Sequence, residues 1–398
     1  MKKIVILTLV ASYFFTSCST LKIIKLIRAG EVEQQDYSVN VPFETRAGLI
    51  IIKVNISGEE YDFLLDTGAP NVISKELATR LDINNIVKQQ VADSQDEESN
   101  LGFATIEKIS IGGIHFLNAG IAIADLNQSK EIGCLKIDGL IGANLMKKAI
   151  WKFDYKNQII TITNSIDSLS IPASAHKIPF NTEITGTPNI KLKINDVTQK
   201  RVTFDLGSNG HISLSKKTYD TIIKDNPSIP QTFSFGNSGS GLYGRGNIDT
   251  TYYLKAASIS FGDISMDSTI VEFISDSGST IGSEIFKNYD IIINWFSKKI
   301  TLINQTEYDN TTLSTFGFSF SNHEDKLIIS EVYEKMENLK IGDQIVSLNE
   351  TKFKELAPDQ WCDIVINGLI KGKEEISLTI LRNNKESTFS LRKMNLIK

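Results

Sequence analysis

Two stretches of the chain show the same order of apolar and polar positions. In the first, the mostly apolar run Leu49–Ile56 leads through a Ser-Gly turn into a second run, Tyr61–Leu65. In the second, apolar and polar residues alternate over Ile190–Ile194 and, after an Asn-Asp turn, over Arg201–Phe204. Runs of this length bounded by turn residues predict β-hairpins. The clean alternation in the second stretch indicates a sheet with one solvated face.

Short helices and further strands follow each predicted hairpin. A serine that precedes apolar residues at helical spacing predicts helices over 75–81 and 216–223. Glycine pairs separate additional short strands such as Ile106–Ile111 and Ile114–Phe116. Many short strands with regular turns are typical of β-barrels. We therefore predict a mainly β fold with barrel-like lobes.

The end of each hairpin carries the same short motif. Phe63–Ser74 and Phe204–Ser213 each contain a phenylalanine shortly before an Asp-x-Gly triplet, and from the acid to the final serine the two stretches align without a gap. The aligned acids are Asp66 and Asp205. A repeat with an acid at the same position predicts two lobes that each bring one carboxylate to a shared cleft.

The duplication extends beyond the acids. Leu140–Gly142 aligns with Thr280–Gly282, and Ile150–Asp154 aligns at the same offset with Asp290–Asn294. A period this long excludes a solenoid and indicates a duplicated domain. We predict a first lobe over residues 41–165 and a second over 176–305.

The last part of the chain has a different pattern. A strand is predicted at Phe316–Phe320, a turn and strand over Lys340–Asn349, and a helix over Pro358–Leu369. Two alternating runs then close the sequence. We predict a third domain over residues 313–398, joined by a polar linker at 304–312.

The N-terminus has the pattern of an export signal. Lys2 and Lys3 precede an apolar segment, Ile4–Phe15, which is too short to span a bilayer, and Cys18 follows. This arrangement resembles a bacterial lipoprotein signal over residues 1–18, in which Cys18 would be lipidated. The resemblance implies a periplasm-facing protein anchored to a membrane of the cell envelope, preferably the outer one, with residues 19–40 as a tether. A plain secretory signal with an incidental cysteine is the alternative.

Composition narrows the possible chemistry. The net charge of −5 and the lack of a basic cluster argue against a nucleic-acid partner. Three widely spaced cysteines give no disulfide framework, so we expect Cys134 and Cys362 to be buried thiols. Four scattered histidines show no metal-ligand spacing.

The repeated motif resembles the active-site loop of aspartic peptidases. Asp66-Thr67-Gly68, together with the later Leu140-Ile141-Gly142, is similar to retropepsin-like domains, and two lobes in one chain make the arrangement pepsin-like. The resemblance implies two β-barrel lobes, Asp66 and Asp205 as the catalytic pair, and no cofactor or metal. It also implies a peptide or protein substrate and, because one chain supplies both acids, a monomer.

The resemblance assigns supporting roles to the neighbouring residues. Gly68 and Gly207 would allow close backbone approach, Gly142 and Gly282 would pack below the two loops, and Thr67 would bond across to the other lobe. Two surface segments, Glu98–Ala104 and Phe235–Gly246, are candidates for flaps over the cleft.

The second lobe departs from this pattern at Leu206, where the family has a hydroxyl residue. Ser208 has no counterpart in the first lobe, where Ala69 occupies the position. In the family a hydroxyl there favours the charged carboxylate, so we expect Asp205 to carry more of the negative charge.

The C-terminal segment resembles a PDZ domain. Gly317-Phe318-Ser319-Phe320 is similar to its carboxylate-binding loop, which implies a groove that takes a peptide ligand. The sequence thus predicts a lipid-anchored aspartic endopeptidase with a peptide-binding domain. The alternative is a non-catalytic peptide-binding scaffold with a degenerate second lobe.

Overall fold

The computed structural model describes residues 21–92, 98–237, 239, 241–242, 244–275, 278–304 and 309–397. Cys18 and the predicted signal segment therefore lie outside the described residues. No helix within these ranges is long and apolar enough to cross a membrane. The fold is mainly β, as the hydrophobic pattern predicts.

The first lobe is a β-barrel with short helices. Its helices are α1 (residues 21–28), α2 (Lys75–Arg80), α3 (Lys130–Gly133) and α4 (Ala143–Met146). Its strands are β1 (Glu31–Val32), β2 (Ser38–Pro42), β3 (Glu44–Arg46), β4 (Leu49–Ile56), β5 (Glu59–Asp66), β6 (Val72–Ser74), β7 (Val87–Ala92), β8 (Glu98–Ile111), β9 (Ile114–Ala124), β10 (Gly139–Gly142), β11 (Ile150–Asp154) and β12 (Ile159–Thr163). Because β8 pairs with β4 on one side and with β9 on the other, the sheet closes on itself.

The second lobe repeats this plan. Its helices are α5 (Lys216–Asp225) and α6 (Ser283–Phe286). Its strands are β13 (His176–Pro179), β14 (Asn181–Thr182), β15 (Pro188–Ile194), β16 (Val197–Asp205), β17 (Ile212–Ser215), β18 (Gln231–Gly236), β19 (Asp249–Phe261), β20 (Ile264–Ile274), β21 (Thr280–Gly282), β22 (Tyr289–Asn294) and β23 (Lys299–Asn304). Here β15 pairs with both β16 and β19, which closes the second barrel.

The C-terminal unit has its own hydrophobic core. It contains helix α7 (Pro358–Asn367) and the strands β24 (Leu313–Thr315), β25 (Phe318–His323), β26 (Lys326–Tyr333), β27 (Gln344–Leu348), β28 (Thr351–Lys352), β29 (Glu375–Arg382), β30 (Lys385–Arg392) and β31 (Met394–Ile397). Trp361 and Ile364 of α7 pack with Phe318, Ile329 and Leu378 of the strands. The unit is not a separate sheet, because β26 pairs with β18 of the second lobe.

A sheet shared by the two lobes joins them. Its described strands run in the order β13-β23-β22-β11-β12-β2, and β11 pairs with β22 across the lobe boundary. Lys152 of β11 forms an ion pair with the buried Asp290 of β22 at 3.1 Å. This shared sheet fixes the orientation of one barrel relative to the other.

Local sequence signals explain the short helices. Ser74 caps α2, since its Oγ accepts a hydrogen bond from Leu77 N at 3.0 Å. Helix α5 begins after Ser215, and α7 begins at Pro358, a residue that suits the first turn of a helix. The predicted helices thus occur in the structure with ends shifted by up to two residues.

Two expectations are wrong. Residues 21–40 do not form a free tether, because Ile23 of α1 is buried against the first lobe and β2 pairs with β12. Cys134 and Cys362 are not thiols but form a disulfide that links the first lobe to α7. Their separation along the chain gave no sign of this pairing.

Candidate active site

The two aspartates end equivalent strands of the two barrels. Asp66 is the last residue of β5 and pairs in parallel register with Gly142 of β10. Asp205 is the last residue of β16 and pairs in the same way with Gly282 of β21. The aligned sequence repeat therefore becomes a structural repeat, in which each acid leaves the barrel at the same point.

Each carboxyl group lies against a glycine of the opposite lobe. A Cβ added at Gly207 would be 2.3 Å from Asp66 Cγ, and one added at Gly68 would be 2.8 Å from Asp205 Cγ. Real Cβ atoms essentially never approach so closely, so only glycine fits at both positions. This reciprocal packing brings the two carboxyl groups together, and they hydrogen-bond each other.

Backbone amides hold one oxygen of each carboxyl group. Asp66 Oδ1 accepts hydrogen bonds from Gly68 N at 2.7 Å and Ala69 N at 3.0 Å. Asp205 Oδ1 accepts one from Gly207 N at 2.9 Å. Each loop therefore folds back onto its own acid and fixes the direction in which the other oxygen points.

Burial raises the pKa of both acids. For Asp205 the negative charge of Asp66 adds to this effect, so the pKa of Asp205 lies well above its ordinary value. A close pair of this kind shares one proton, and its titration belongs to the pair. The expectation that Asp205 carries more of the negative charge stays a prediction. Ser208 Oγ, the hydroxyl on which that expectation rests, accepts a hydrogen bond from Gly210 N at 3.3 Å.

A single threonine connects the two loops. Thr67 is fully buried, its Oγ1 donates to Phe204 O at 2.6 Å, and the same oxygen accepts from Leu206 N at 2.9 Å. Leu206 is also fully buried, and its side chain belongs to the hydrophobic core. Thr67 therefore binds across to the second lobe through two hydrogen bonds, whereas Leu206 offers no hydroxyl in return.

The glycines below the loops are constrained in the same way in both lobes. A Cβ at Gly142 would be 2.2 Å from Pro70 C, and one at Gly282 would be 2.3 Å from Gly210 O. The residues that follow them bond the loops, since Ala143 N donates to Ala69 O and Ser283 N donates to Ser208 O, both at 2.8 Å.

Two buried asparagines that the sequence pattern does not single out hold the first loop. Asn71 Oδ1 accepts from Gly142 N at 2.8 Å, and Asn144 Oδ1 accepts from Asn71 N at 2.7 Å. The second lobe has Gly210 and Glu284 at the aligned positions, and there Gly282 N donates to a backbone carbonyl, His211 O, at 2.7 Å. Asn71 and Asn144 are not repeated in the second lobe, and this difference is the sequence signal by which they could have been identified.

The two flap candidates differ in their surroundings. Glu98–Ala104 lies in β8, which pairs with β7, and residues 93–97 between these strands lie outside the described part. Phe235–Gly246 begins at the end of β18, where Ser234–Gly236 pair with Glu331–Tyr333 of β26. The second candidate is therefore attached to the C-terminal unit.

Gly317 to Phe320 lie at the start of β25 in the C-terminal unit. Gly317 has a φ of 87°, and its N–H donates to Thr315 Oγ1 at 3.1 Å. Phe318 is buried, Phe320 is partly buried, and Ser319 Oγ donates to Glu331 Oε2 at 2.6 Å. Among the described strands β25 pairs only with β26, so its other edge has no strand partner there.

Within the described ranges no group of three or more His, Cys, Asp or Glu side chains is placed to hold a metal ion. Two cavities in this part of the chain are not lined by the acids. One of about 790 Å³ is lined by Leu26, Ile56, Ile83 and neighbouring residues of the first lobe.

Comparison with known proteins agrees with this geometry for the first lobe. Residues 52–145 match the aspartyl protease family model, a range that contains Asp66, Asn71, Gly142 and Asn144. Among solved structures the chain is similar to basic 7S globulin from soybean, with 9% identity and a TM-score of 0.40 over 68% of this chain and 95% of that one. No curated protein matches the sequence. Residues 52–145 thus match the aspartyl protease family model, and the second lobe repeats the loop around Asp66 at Asp205.

Proposed function

We propose that this chain is an aspartic endopeptidase in which Asp66 and Asp205 act on a peptide bond held between the lobes. The observation that carries the proposal is the contact between their carboxyl groups, each packed against the opposite glycine and each with a raised pKa. One shared proton gives one acid and one base at the same place, which is what the reaction needs.

The shared proton gives each acid a role. The charged member of the pair removes a proton from the attacking water. The protonated member donates its proton to the carbonyl oxygen of the substrate while the water oxygen bonds to the carbonyl carbon. As the carbon–nitrogen bond breaks, the proton taken up by the first acid passes to the leaving nitrogen and a hydroxyl of the intermediate returns its proton to the second acid, which restores the pair.

One feature favours the second candidate, a non-catalytic peptide-binding scaffold. Leu206 occupies the position where the family has a hydroxyl residue, so at this pair of positions the hydroxyl bonds between the lobes come from Thr67 and not from the second lobe. Where the pair is not held rigidly, peptide could bind in the cleft without being cleaved.

A cleavage assay separates the two functions. The chain without residues 1–18 is incubated with a library of fluorogenic peptides between about pH 4 and 7.5, the range of ordinary to raised carboxyl pKa values. Asp66→Asn and Asp205→Asn should each abolish turnover, while Asp196→Asn, whose side chain is fully exposed in the turn before β16, should not. Binding of peptides without cleavage by the unsubstituted chain would support the scaffold. Loss in Asp66→Asn alone would mean that two first lobes build the site in a homodimer.

We further propose that the C-terminal unit binds the free C-terminus of a peptide as an added strand along β25. The support is the edge of β25 that has no described strand partner and the left-handed Gly317 at its start. Fluorescence titration with a peptide library should show binding that is lost when the terminal carboxylate is amidated. Equal binding of both forms would refute recognition of the carboxylate.

A lipid anchor at Cys18 and a location in the cell envelope remain part of the proposal. Lys2, Lys3 and the apolar segment before Cys18 support it. Labelled palmitate should be incorporated into the full chain and not into Cys18→Ser, and incorporation into both would exclude Cys18 as the acceptor.

A further inference from the structure

Helix α1 carries its basic side chains on one exposed face. Lys22, Lys25 and Arg28 are exposed and follow one another at intervals of three residues, so they are neighbours on the helix surface. Among the described residues none of these three side chains has an ion-pair partner. Like charges one helical turn apart repel each other, so this face is stabilised when a negative surface lies against it.

The other face of α1 fixes the helix on the first lobe. Ile23 is buried, and Asn144 Nδ2 donates to Ile27 O at 3.0 Å. A Cβ added at Gly120 of β9 would be 1.9 Å from Leu26 O, so the helix backbone lies directly on that strand. The three cations therefore have a fixed orientation relative to the lobe.

Two lysines after α4 extend the positive surface. Lys148 Nζ donates to Arg28 O at 3.3 Å, at the end of α1. Burial, followed by the charges of Lys148 and Arg28, lowers the pKa of Lys147 to about 8, so the cations are closely grouped. Glu31 is the acid whose charge acts on Lys148. The basic face is thus formed by Lys22, Lys25, Arg28 and Lys148, in a chain whose net charge is −5.

The start of α1 is close along the chain to the proposed lipid anchor. Two residues, Ser19 and Thr20, separate Leu21 from Cys18. Because a fully extended chain spans at most about 3.6 Å per residue, the Cα atoms of Leu21 and Cys18 are within about 11 Å of each other. Charges at physiological ionic strength are screened over about 8 Å. An anchor at Cys18 would therefore keep the basic face within reach of the charges of a membrane surface.

We propose that the basic face docks onto an anionic phospholipid surface, with Leu21 in contact with the boundary between headgroups and acyl chains. Leu21 is 64% exposed, and an apolar side chain beside a group of cations is what such a boundary accommodates. The orientation of the anchored protein rests on the proposed lipid anchor at Cys18, whereas binding of the basic face to lipid does not. The first lobe is thereby held against the membrane instead of at the end of a free tether.

The first test measures binding without the anchor. The chain without residues 1–18 is sedimented with vesicles that contain phosphatidylglycerol and phosphatidylcholine, or phosphatidylcholine alone. We expect binding to the anionic vesicles at about 0.05 M salt and its loss at about 1 M, where the Debye length is about 3 Å. Because the chain is negative overall, general attraction to the vesicles predicts no binding. No binding to anionic vesicles, or equal binding to both kinds, would overturn the proposal.

Substitution of the cations locates the binding surface. Lys22→Gln, Lys25→Gln and Arg28→Gln together should lower the partition coefficient by about fivefold per residue, which is about 100-fold in all. The matched control neutralises three exposed lysines of the C-terminal unit, Lys326, Lys354 and Lys371. Both triple variants lose the same charge, and the control should bind like the parent chain or less than fivefold more weakly. Equal loss in the two would mean that net charge, and not the basic face, determines binding.

The last test measures the orientation of the anchored protein. A fluorophore is attached to the lipid-anchored full chain through Lys25→Cys or, as the control, through Lys354→Cys, in vesicles with nitroxide-labelled headgroups. We expect strong quenching at position 25 and weak quenching at position 354, and equal quenching would overturn the proposed orientation. A full chain that takes up no labelled palmitate would refute the anchor, while vesicle binding by the chain without residues 1–18 would still support the basic face.

Discussion

Replacement of Gly207 by alanine tests whether the carboxyl groups meet as the structure shows. The new methyl carbon would lie 2.3 Å from Asp66 Cγ and 2.6 Å from each of its oxygens, whereas ordinary van der Waals contact begins at 3.4 Å. The nearest atoms belong to a short side chain held by Gly68 N and Ala69 N. The carboxyl of Asp66 must therefore move by about 1 Å, away from Asp205 and out of its hydrogen bonds.

A displacement of this size has two measurable effects. A 1 Å error in the position of a reacting group lowers the rate by about 100-fold. Insertion of one methyl group into close-packed surroundings costs about 1–3 kcal/mol of unfolding free energy. For lobes of this size that cost lowers Tm by about 2–10 °C.

Gly210→Ala is the matched control in the same loop. A Cβ at Gly210 meets only Ser208 Oγ, at 3.4 Å, and Gly210 has no positive φ. Peptide cleavage gives kcat/KM, and differential scanning calorimetry gives Tm. We expect kcat/KM and Tm to fall in Gly207→Ala and to stay at the values of the parent chain in Gly210→Ala. Unchanged kcat/KM and Tm in Gly207→Ala would show that Gly207 does not pack against Asp66.

Three further predictions concern hydrogen bonding and pH. Thr67→Val leaves Leu206 N–H and Phe204 C=O without their buried partner and should cost about 2–4 kcal/mol in urea unfolding, whereas Thr67→Ser should lose less than half of that; equal losses would exclude the hydroxyl as the cause. Because the pKa of Asp205 is raised, kcat/KM should fall as the pH rises through that pKa and the shared proton is lost; a rate still rising at about pH 9 would contradict this. Burial raises the pKa of Glu272 to about 7, so its contribution to stability is fully present below the unfolded value and is lost as pH rises through 7. Glu272→Gln should remove this loss, which is at most about 3 kcal/mol, and parallel urea-unfolding profiles of variant and parent between pH 5 and 8 would refute it.

The features that the sequence predicted are those that depend on local pattern. The hairpin that ends at Asp66 and its repeat at Asp205 follow from alternation and turn residues, and the Ser74 cap follows from one hydroxyl before an apolar run. The mainly β fold is confirmed for the same reason.

The features that it did not predict depend on neighbours that are distant along the chain. Nothing in the spacing of Cys134 and Cys362 distinguishes a disulfide from two buried thiols. The polar composition of 19–40 conceals Ile23, which becomes buried only when the first lobe supplies its cluster. The pairing of β18 with β26 joins two edges, and neither strand's own pattern specifies its partner.

The sheet shared by the lobes has a consequence for synthesis. Its central pairing is nearly symmetric. Lys152 lies opposite Ile292, which is its counterpart in the sequence repeat, and Trp151 and Phe153 lie opposite Ile293 and Ile291. While the chain is being made, β11 pairs with β12 on one side, but its other edge has no partner until β22 emerges, well over a hundred residues later, and an unpaired apolar edge invites association. Strand β11 in the first lobe of a second chain offers a similar edge. If synthesis stops after the first lobe, β11 of one chain should therefore pair with β11 of another. We expect such half-length products to accumulate as dimers rather than as single barrels.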